Sequence, residues 1–561
     1  MMRMGKYGRG AIVIVAAFLL LAATGCFVYI ERGDRTAPQF ATHVQLSKNP
    51  NSSAPLAAVV RFCTDEPTET VLHISDGEHR WTLTYGPDSD PEDGLPVVGM
   101  RPDRTHTIEV VVRDEHGNVR ECPRALEYKT PPLPQEVEAF PDIKTTVHEK
   151  AAMEPGLTLF NPRRRVPGET VSEFNKNFGL LVAIDAQGQV VWYYRTDSRI
   201  SDFQFLENGN IAYITTDNRL TEIDLLGNVQ RQWYAAGRPE GEGDGTPVDT
   251  LTFHHSFYQM PDGNFLILGT DRRKIEDYYT SEWDADAPRE DQWVMGDEIV
   301  EFRPDGEVVW RWNAFEHMDP RRIGYLTFSG YWKRRGWPKT VDWSHANNVE
   351  YLADEDAVLC NFRLQSAVVK IDRETGDIPW IAGEHSGWPE RLQDRLLELK
   401  DADRWFWHQH DAKFTERGTL LVFDNDNFEA RPFDEPEPPA EIHSRIAEYR
   451  VDEQKGTLRR VWTSEQPDAP QHASWAMGSV QYLPEKDNVL AGYGFMILPE
   501  DLKEMTWKTR LSFKGWTRTA EYSHTDPPEP VWEMRLRSRE PEGPIGWTCF
   551  GAARTSRLLS R

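Results

Sequence analysis

Residues 303–310 read RPDGEVVW, a polar turn containing glycine followed by a short apolar strand that ends on tryptophan. The pattern recurs at 185–192 (DAQGQVVW), 224–233 (DLLGNVQRQW), 372–380 (DRETGDIPW) and 452–462 (DEQKGTLRRVW) and, with prolines in place of the glycine, at 526–532 (DPPEPVW). Alternating strands precede most of these turns, as in DEIVEFRPDG (297–306) and RIAEYRVDE (445–453), so each unit reads as a hairpin whose second strand buries an indole. Further hairpins lie between successive tryptophans, for example FQFLENGNIAYIT (203–215) and VQYLPEKDNVLAGY (480–493). Four strands per unit and six units predict an all-β fold, a six-bladed β-propeller over residues 144–561. Wide spacings such as EDYYTSEWDADAPREDQW (276–293) predict long insertions on one face.

Three histidines stand at what looks like one point of the repeat. His255 opens HSFYQMPDGNFLIL, His345 opens HANNVEYLADEDAVL and His410 opens HDAKFTERGTLLVF. The innermost strand of a blade lines the central channel, so residues at its start face one another across the axis. Strand side chains alternate with period two, which predicts that Asn347 shares a face with His345, and His408 with His410. His254 competes with its neighbour, but His255 and His410 each stand eight residues before a turn glycine, Gly263 and Gly418. The outgoing strand VLCNFRLQSAVV puts Arg363 near the top of the blade that carries His345. The expected pocket holds several imidazoles, one amide and one guanidinium. His472 and His524 begin later strands without such company and read as structural.

A formal charge of −26 excludes nucleic acid as a partner, because phosphate binding needs a basic surface. An anionic small molecule would have to meet a locally basic pocket. With 39% hydrophobic residues and 20 tryptophans the chain has material for a sizeable core. Arg3, Lys6 and Arg9 precede the uncharged run AIVIVAAFLLLAATGCFVYI (11–30), long enough to cross a hydrocarbon layer of about 30 Å. Residues 1–36 therefore read as a retained anchor, a lipoprotein signal processed at Cys26, or a cleaved signal peptide. All three readings put the rest of the chain outside the cytoplasm, and the first two tie it to a membrane.

Short alternating runs, AAVVRF (57–62), TVLHI (70–74) and HTIEVVVRD (106–114), predict a small fibronectin- or Ig-like β-sandwich over 37–134. Residues 135–143 complete a linker rich in proline and acidic residues. Cys63 and Cys122 fall within the sandwich, either as a disulfide or, with Cys360 and Cys549, as free thiols. Neither zinc-ligand spacing nor a Gly-rich phosphate loop with lysine is present, so no metal, cofactor or nucleotide sulfate donor is expected.

The stretches HHSFYQMPDGN (254–264), SHANNVEY (344–351) with NFRLQSAVVKID (361–372), WHQHDAKFTERGTLLVFDND (407–426) and SRIAEYRVDEQKGTLRRVW (444–462) resemble bacterial arylsulfate sulfotransferases, over roughly residues 140–530. The resemblance implies a periplasmic six-bladed propeller behind a small β domain. It implies sulfuryl transfer from an aryl sulfate to a phenolic acceptor, with His410 as the nucleophile that becomes a sulfohistidine, and His255, His345, Asn347 and Arg363 in support. The chemistry suits those residue types. Sulfuryl transfer, like phosphoryl transfer, spreads charge over equatorial oxygens and calls for positioned donors. A guanidinium fork matches a sulfate, and an imidazole can carry the group between two easier steps. Two other readings stand beside it: a metal-dependent hydrolase or lyase with His255, His345, His408 and His410 as ligands, and a non-catalytic or quinoprotein-like scaffold. A homodimer is compatible with all of them.

Overall fold

The computed structural model describes residues 37–169, 177–466, 471–556 and 558. The expected anchor or signal, residues 1–36, lies outside them. Among the described residues no helix is long and apolar enough to cross a membrane.

The chain divides into two compact units. The smaller contains Val59–Leu95, His106–Tyr128 and the stretch ending at Ser47; Lys48–Ala58 and Pro96–Thr105 belong to the larger. The main sheet of the smaller unit orders its strands Arg80–Tyr85, Glu69–Ser75, Thr105–Arg113 and Val119–Glu121, with Leu126–Lys129 also pairing Thr105–Arg113. Its longest strand, THTIEVVVR, alternates strictly, burying His106, Ile108, Val110 and Val112 and turning Glu109 outward, as one solvated face requires. Cys63, Cys122, Cys360 and Cys549 are all free thiols.

Among its described residues the larger unit holds six sheets, each built on four strands paired antiparallel in turn. Sheet one takes its first strand, Gly546–Thr555, from the chain's far end and adds Leu157–Arg165, Gly179–Ile184 and Val190–Thr196. Sheets two to six begin on Ile200–Phe205, Phe257–Gln259, Ala346–Leu352, His410–Phe414 and Ser479–Leu483. Asp142–Val147 pairs antiparallel along the outer edge of sheet six.

Every tryptophan of the sequence repeat falls on the fourth strand of its sheet. Trp192, Trp233, Trp380, Trp462 and Trp532 are buried and Trp310 is half-buried. The indole N–H groups explain the spacing. Trp192 donates to Leu225 O, Trp233 to Pro304 O, Trp310 to Arg373 O, Trp380 to Glu453 Oε1, Trp462 to Thr525 O and Trp532 to Ala186 O, at 2.9–3.0 Å. Each acceptor lies in the turn between the third and fourth strands of the following sheet, and the sixth indole returns to the first sheet. The repeat therefore encodes a closed cycle, each turn capping its neighbour's tryptophan. Glycine is needed in such a turn: Gly306 has φ 89°, and a Cβ there would lie 2.5 Å from Pro247 O.

The first strands converge as well. Asp202, Ser256, Asn347, Asp411, Ser479 and Phe550, one from the start of each sheet, line a single cavity of about 430 Å³.

Candidate functional site

A second cavity, of about 350 Å³, is lined by His255, His345, Arg363 and His410. Four of the five residues singled out from sequence are thus brought together. The fifth, Asn347, is not among them. It lines the 430 Å³ cavity and donates to the carbonyl of Gln409 at 3.0 Å, so it fixes the peptide immediately before His410.

The backbone explains the separation. His345 has φ 50°, a left-handed conformation that a β-branched or bulky residue enters only at a cost, and the ladder slips between Ala346 and Asn348. Period-two alternation therefore fails across this segment. The three histidines are not equivalent positions either. His255 (φ 54°) and His345 stand ahead of their strands in left-handed backbone, whereas His410 is the first residue of its strand and pairs with Phe423. In sheet five the left-handed histidine is His408 (φ 51°). That twist takes its ring against Phe428, at 5.0 Å between centroids, instead of onto the face of His410.

Hydrogen bonds fix the tautomers. Both amide hydrogens of Asn425 are used, donated to Ser474 O at 2.7 Å and Met477 O at 3.0 Å. Its Oδ1, 2.6 Å from His410 Nδ1, can therefore only accept, so His410 carries its proton on Nδ1 and presents a lone pair at Nε2. Burial, and then the charge of Arg363, hold the His410 imidazole well below its usual range, so it is neutral at neutral pH.

A second chain of bonds sets His255. His254 Nε2–H donates to Gly269 O at 3.1 Å, beside Asp297 at 3.2 Å. His254 Nδ1 and His255 Nδ1 share a hydrogen bond of 2.9 Å, and His255 Nε2 lies 3.3 Å from the Tyr331 hydroxyl. Burial, and then His345 and His254, hold His255 well below its usual range. His254 is thus the support and His255 the residue facing the cavity.

His345 anchors Nδ1 on Asp342 Oδ2 at 2.5 Å, and the indole of Trp332 holds the carboxylate's other oxygen at 2.9 Å. The His345 ring lies 4.8 Å from that of His255, centroid to centroid. Arg363 is 6% exposed, and its buried Nε and Nη2 have no hydrogen-bond partner. Burial lowers this guanidinium to about 10, which still leaves it charged at neutral pH.

A neutral nucleophilic nitrogen, a second neutral imidazole able to take a proton, and a charged fork with free donors suit transfer of a compact anionic group. They do not suit a metal. Among the described residues no group of three or more His, Cys, Asp or Glu side chains could hold one, and Arg363 would repel it. Asn425, Asp342 and Tyr331 were not apparent from sequence. Asn425 had a signal: it follows the second strand of its sheet, Leu420–Asp424, as Arg363 follows Ala357–Phe362.

Residues 143–533 match the family model described as Arylsulfotransferase (ASST), and residues 46–131 match the Arylsulfotransferase Ig-like domain. The chain is 26% identical to the arylsulfate sulfotransferase AssT of Escherichia coli O6:H1, a match covering 58% of this chain and 58% of that protein. It is 24% identical to the protein of the same name from Lelliottia amnigena, covering 88% of this chain and 93% of that one. The match thus takes in less than two thirds of the first relative's length and nearly all of the second's. The WD40 β-propeller domain of Doa1 is a remote structural likeness, with 9% identity and a TM-score of 0.29 over 81% of this chain and 94% of that one, too remote to bear on the site.

Proposed function

The chain belongs to the arylsulfotransferase family, and from that premise we propose that it moves a sulfuryl group from an aryl sulfate to a phenolic acceptor through a sulfohistidine on His410. The observation that carries this reading is the Asn425 contact, which leaves a buried, neutral imidazole with its Nε2 lone pair beside an unpartnered guanidinium. In the first half-reaction Nε2 attacks sulfur, the S–O bond to the ring breaks, and a phenolate departs; Arg363 holds the equatorial oxygens. In the second, an incoming phenol gives its proton to Nε2 of His255 and its oxygen takes the sulfuryl group, restoring His410. Burial disfavours the charged form of His255, so the proton it takes passes on to water and the imidazole returns neutral for the next cycle.

We also take the six sheets, cyclically joined by their indoles and lined up on their first strands, as blades of a six-bladed propeller with the site at one end of its channel. The uncharged run 11–30 supports placing the body outside the cytoplasm, tethered to or released from a membrane.

The test is a transfer assay with an aryl sulfate and a phenol, with and without a chelator. Parallel double-reciprocal plots and insensitivity to the chelator are expected; intersecting plots or loss on chelation would overturn the reading. The pH profile gives an independent check. His410 and His255 must be neutral to act, and both are held below 6.5. Activity should therefore persist through pH 6.5 as the pH falls, and be lost only through the depressed values. An acid limb in kcat/KM centred at or above 6.5 would contradict the neutral pair.

A further inference from the structure

Arg363 alone can grip the transferred sulfate, yet the same cavity is also lined by Arg163, Arg165, Arg334 and Arg510. Acidic residues outnumber basic ones by 90 to 64 in this chain, so a carboxylate beside each arginine would be the ordinary outcome. None of these four forms a direct ion pair among the described residues, although Glu169, Asp342 and Glu282 lie near enough to act on Arg165, Arg334 and Arg510 in turn. Arg165 donates to Leu511 O at 2.8 Å, Arg334 to Ser329 O at 3.0 Å and Arg510 to Trp507 O. Arg163 has only the Met477 sulfur, at 3.5 Å. Carbonyls and a thioether orient a guanidinium without neutralising it. The cavity's two carboxylates are engaged elsewhere: Glu169 pairs with Arg199 at 2.6 Å, and Asp342 holds His345. Burial, then repulsion from Arg199, lowers Arg163 to about 9 and Arg165 to about 10. Like charges kept together at such a cost are relieved by a bound anion, and a singly charged sulfuryl group already held by Arg363 is not enough to balance four more.

We propose that these arginines form a second anion subsite, and that the enzyme's aromatic substrates carry a further anionic substituent on the ring, a carboxylate, sulfate or phosphate. The inference rests on the transferase reading for its aryl component. The arginines come from different parts of the fold, Arg163 and Arg165 from the strand Leu157–Arg165, Arg334 from the turn Lys333–Arg335 and Arg510 from the turn Arg510–Ser512. They therefore frame the substrate from several sides, as recognition of a fixed second charge requires.

The experiment compares 4-chlorophenyl sulfate with 4-(sulfooxy)benzoate, donors whose leaving phenols are of nearly equal acidity, in the wild type and in Arg163→Gln and Arg334→Gln. One charge-assisted hydrogen bond is worth about 1.5–3 kcal/mol, so the carboxylate donor should be favoured roughly tenfold or more in kcat/KM, and each variant should lose about tenfold more with it than with the donor whose ring is uncharged. Equal kcat/KM for the two donors, or equal losses in the variants, would overturn the subsite. Calorimetric binding of 4-hydroxybenzoate against 4-cresol keeps the two ideas apart. If neither donor is turned over, the transferase reading fails, while tighter binding of the carboxylate that is lost in Arg163→Gln still supports the subsite and equal binding still overturns it.

Discussion

His410→Asn should abolish sulfuryl transfer, with a loss of at least about a thousandfold in kcat, because an amide has no lone pair able to carry the group. The substitution is mild structurally. The site is a strand start whose ladder partner, Phe423, is met through the backbone, and an asparagine side chain there can still reach toward Asn425. Cooperative unfolding close to that of the wild type is therefore expected, which separates loss of chemistry from loss of fold. The positive counterpart is mass spectrometry of the wild type incubated with donor and no acceptor. A gain of about 80 Da, one sulfuryl group, should sit on the peptide bearing His410 and disappear when phenol is added. A variant that still transfers at a comparable rate, or a label on His255 or His345, would reassign the nucleophile.

The tryptophan repeat was legible because its physics is local. An Asp- or Gly-containing turn, a strand and an indole within a dozen residues suffice to state that each unit is a hairpin, and the cyclic indole contacts show why the spacing is kept. The convergence of His255, His345, Arg363 and His410 on one cavity was legible at the level of which residues meet. Which way each one points was not. Face assignment by alternation presumes regular strands, and left-handed backbone at His255, His345 and His408 breaks that presumption where it matters. Asn347 illustrates the result: same-face reasoning put its amide in the cavity, whereas it clamps the Gln409 carbonyl. The arginine lining was hidden for a different reason. Arg163, Arg334 and Arg510 are far apart in sequence, and each looks like one of many surface charges until the fold places them around one space.

Arg363→Met should leave the unliganded protein at least as stable as the wild type while lowering kcat/KM by about a hundred- to thousandfold, the loss typical of a donor aimed at developing charge. The two signs follow from one fact. The buried Nε and Nη2 donors of Arg363 have no hydrogen-bond partner in the protein, so in the empty site they belong to a desolvated charge that Asp342 offsets only in part, and an apolar side chain of similar length removes that cost. The backbone role survives substitution, since the Arg363 N–H reaches His345 O at 3.0 Å whatever the side chain. When an anion is bound the balance reverses, because the free donors become charge-assisted hydrogen bonds. An aryl sulfate should consequently raise the unfolding midpoint of the wild type, as any ligand specific for the folded state does, and leave that of Arg363→Met nearly unmoved. Arg363→Lys tests the geometry separately from the charge. An ammonium keeps the charge without the planar fork, and most of the loss should remain. A destabilised, still active Arg363→Met would show that the guanidinium serves the fold and not the anion.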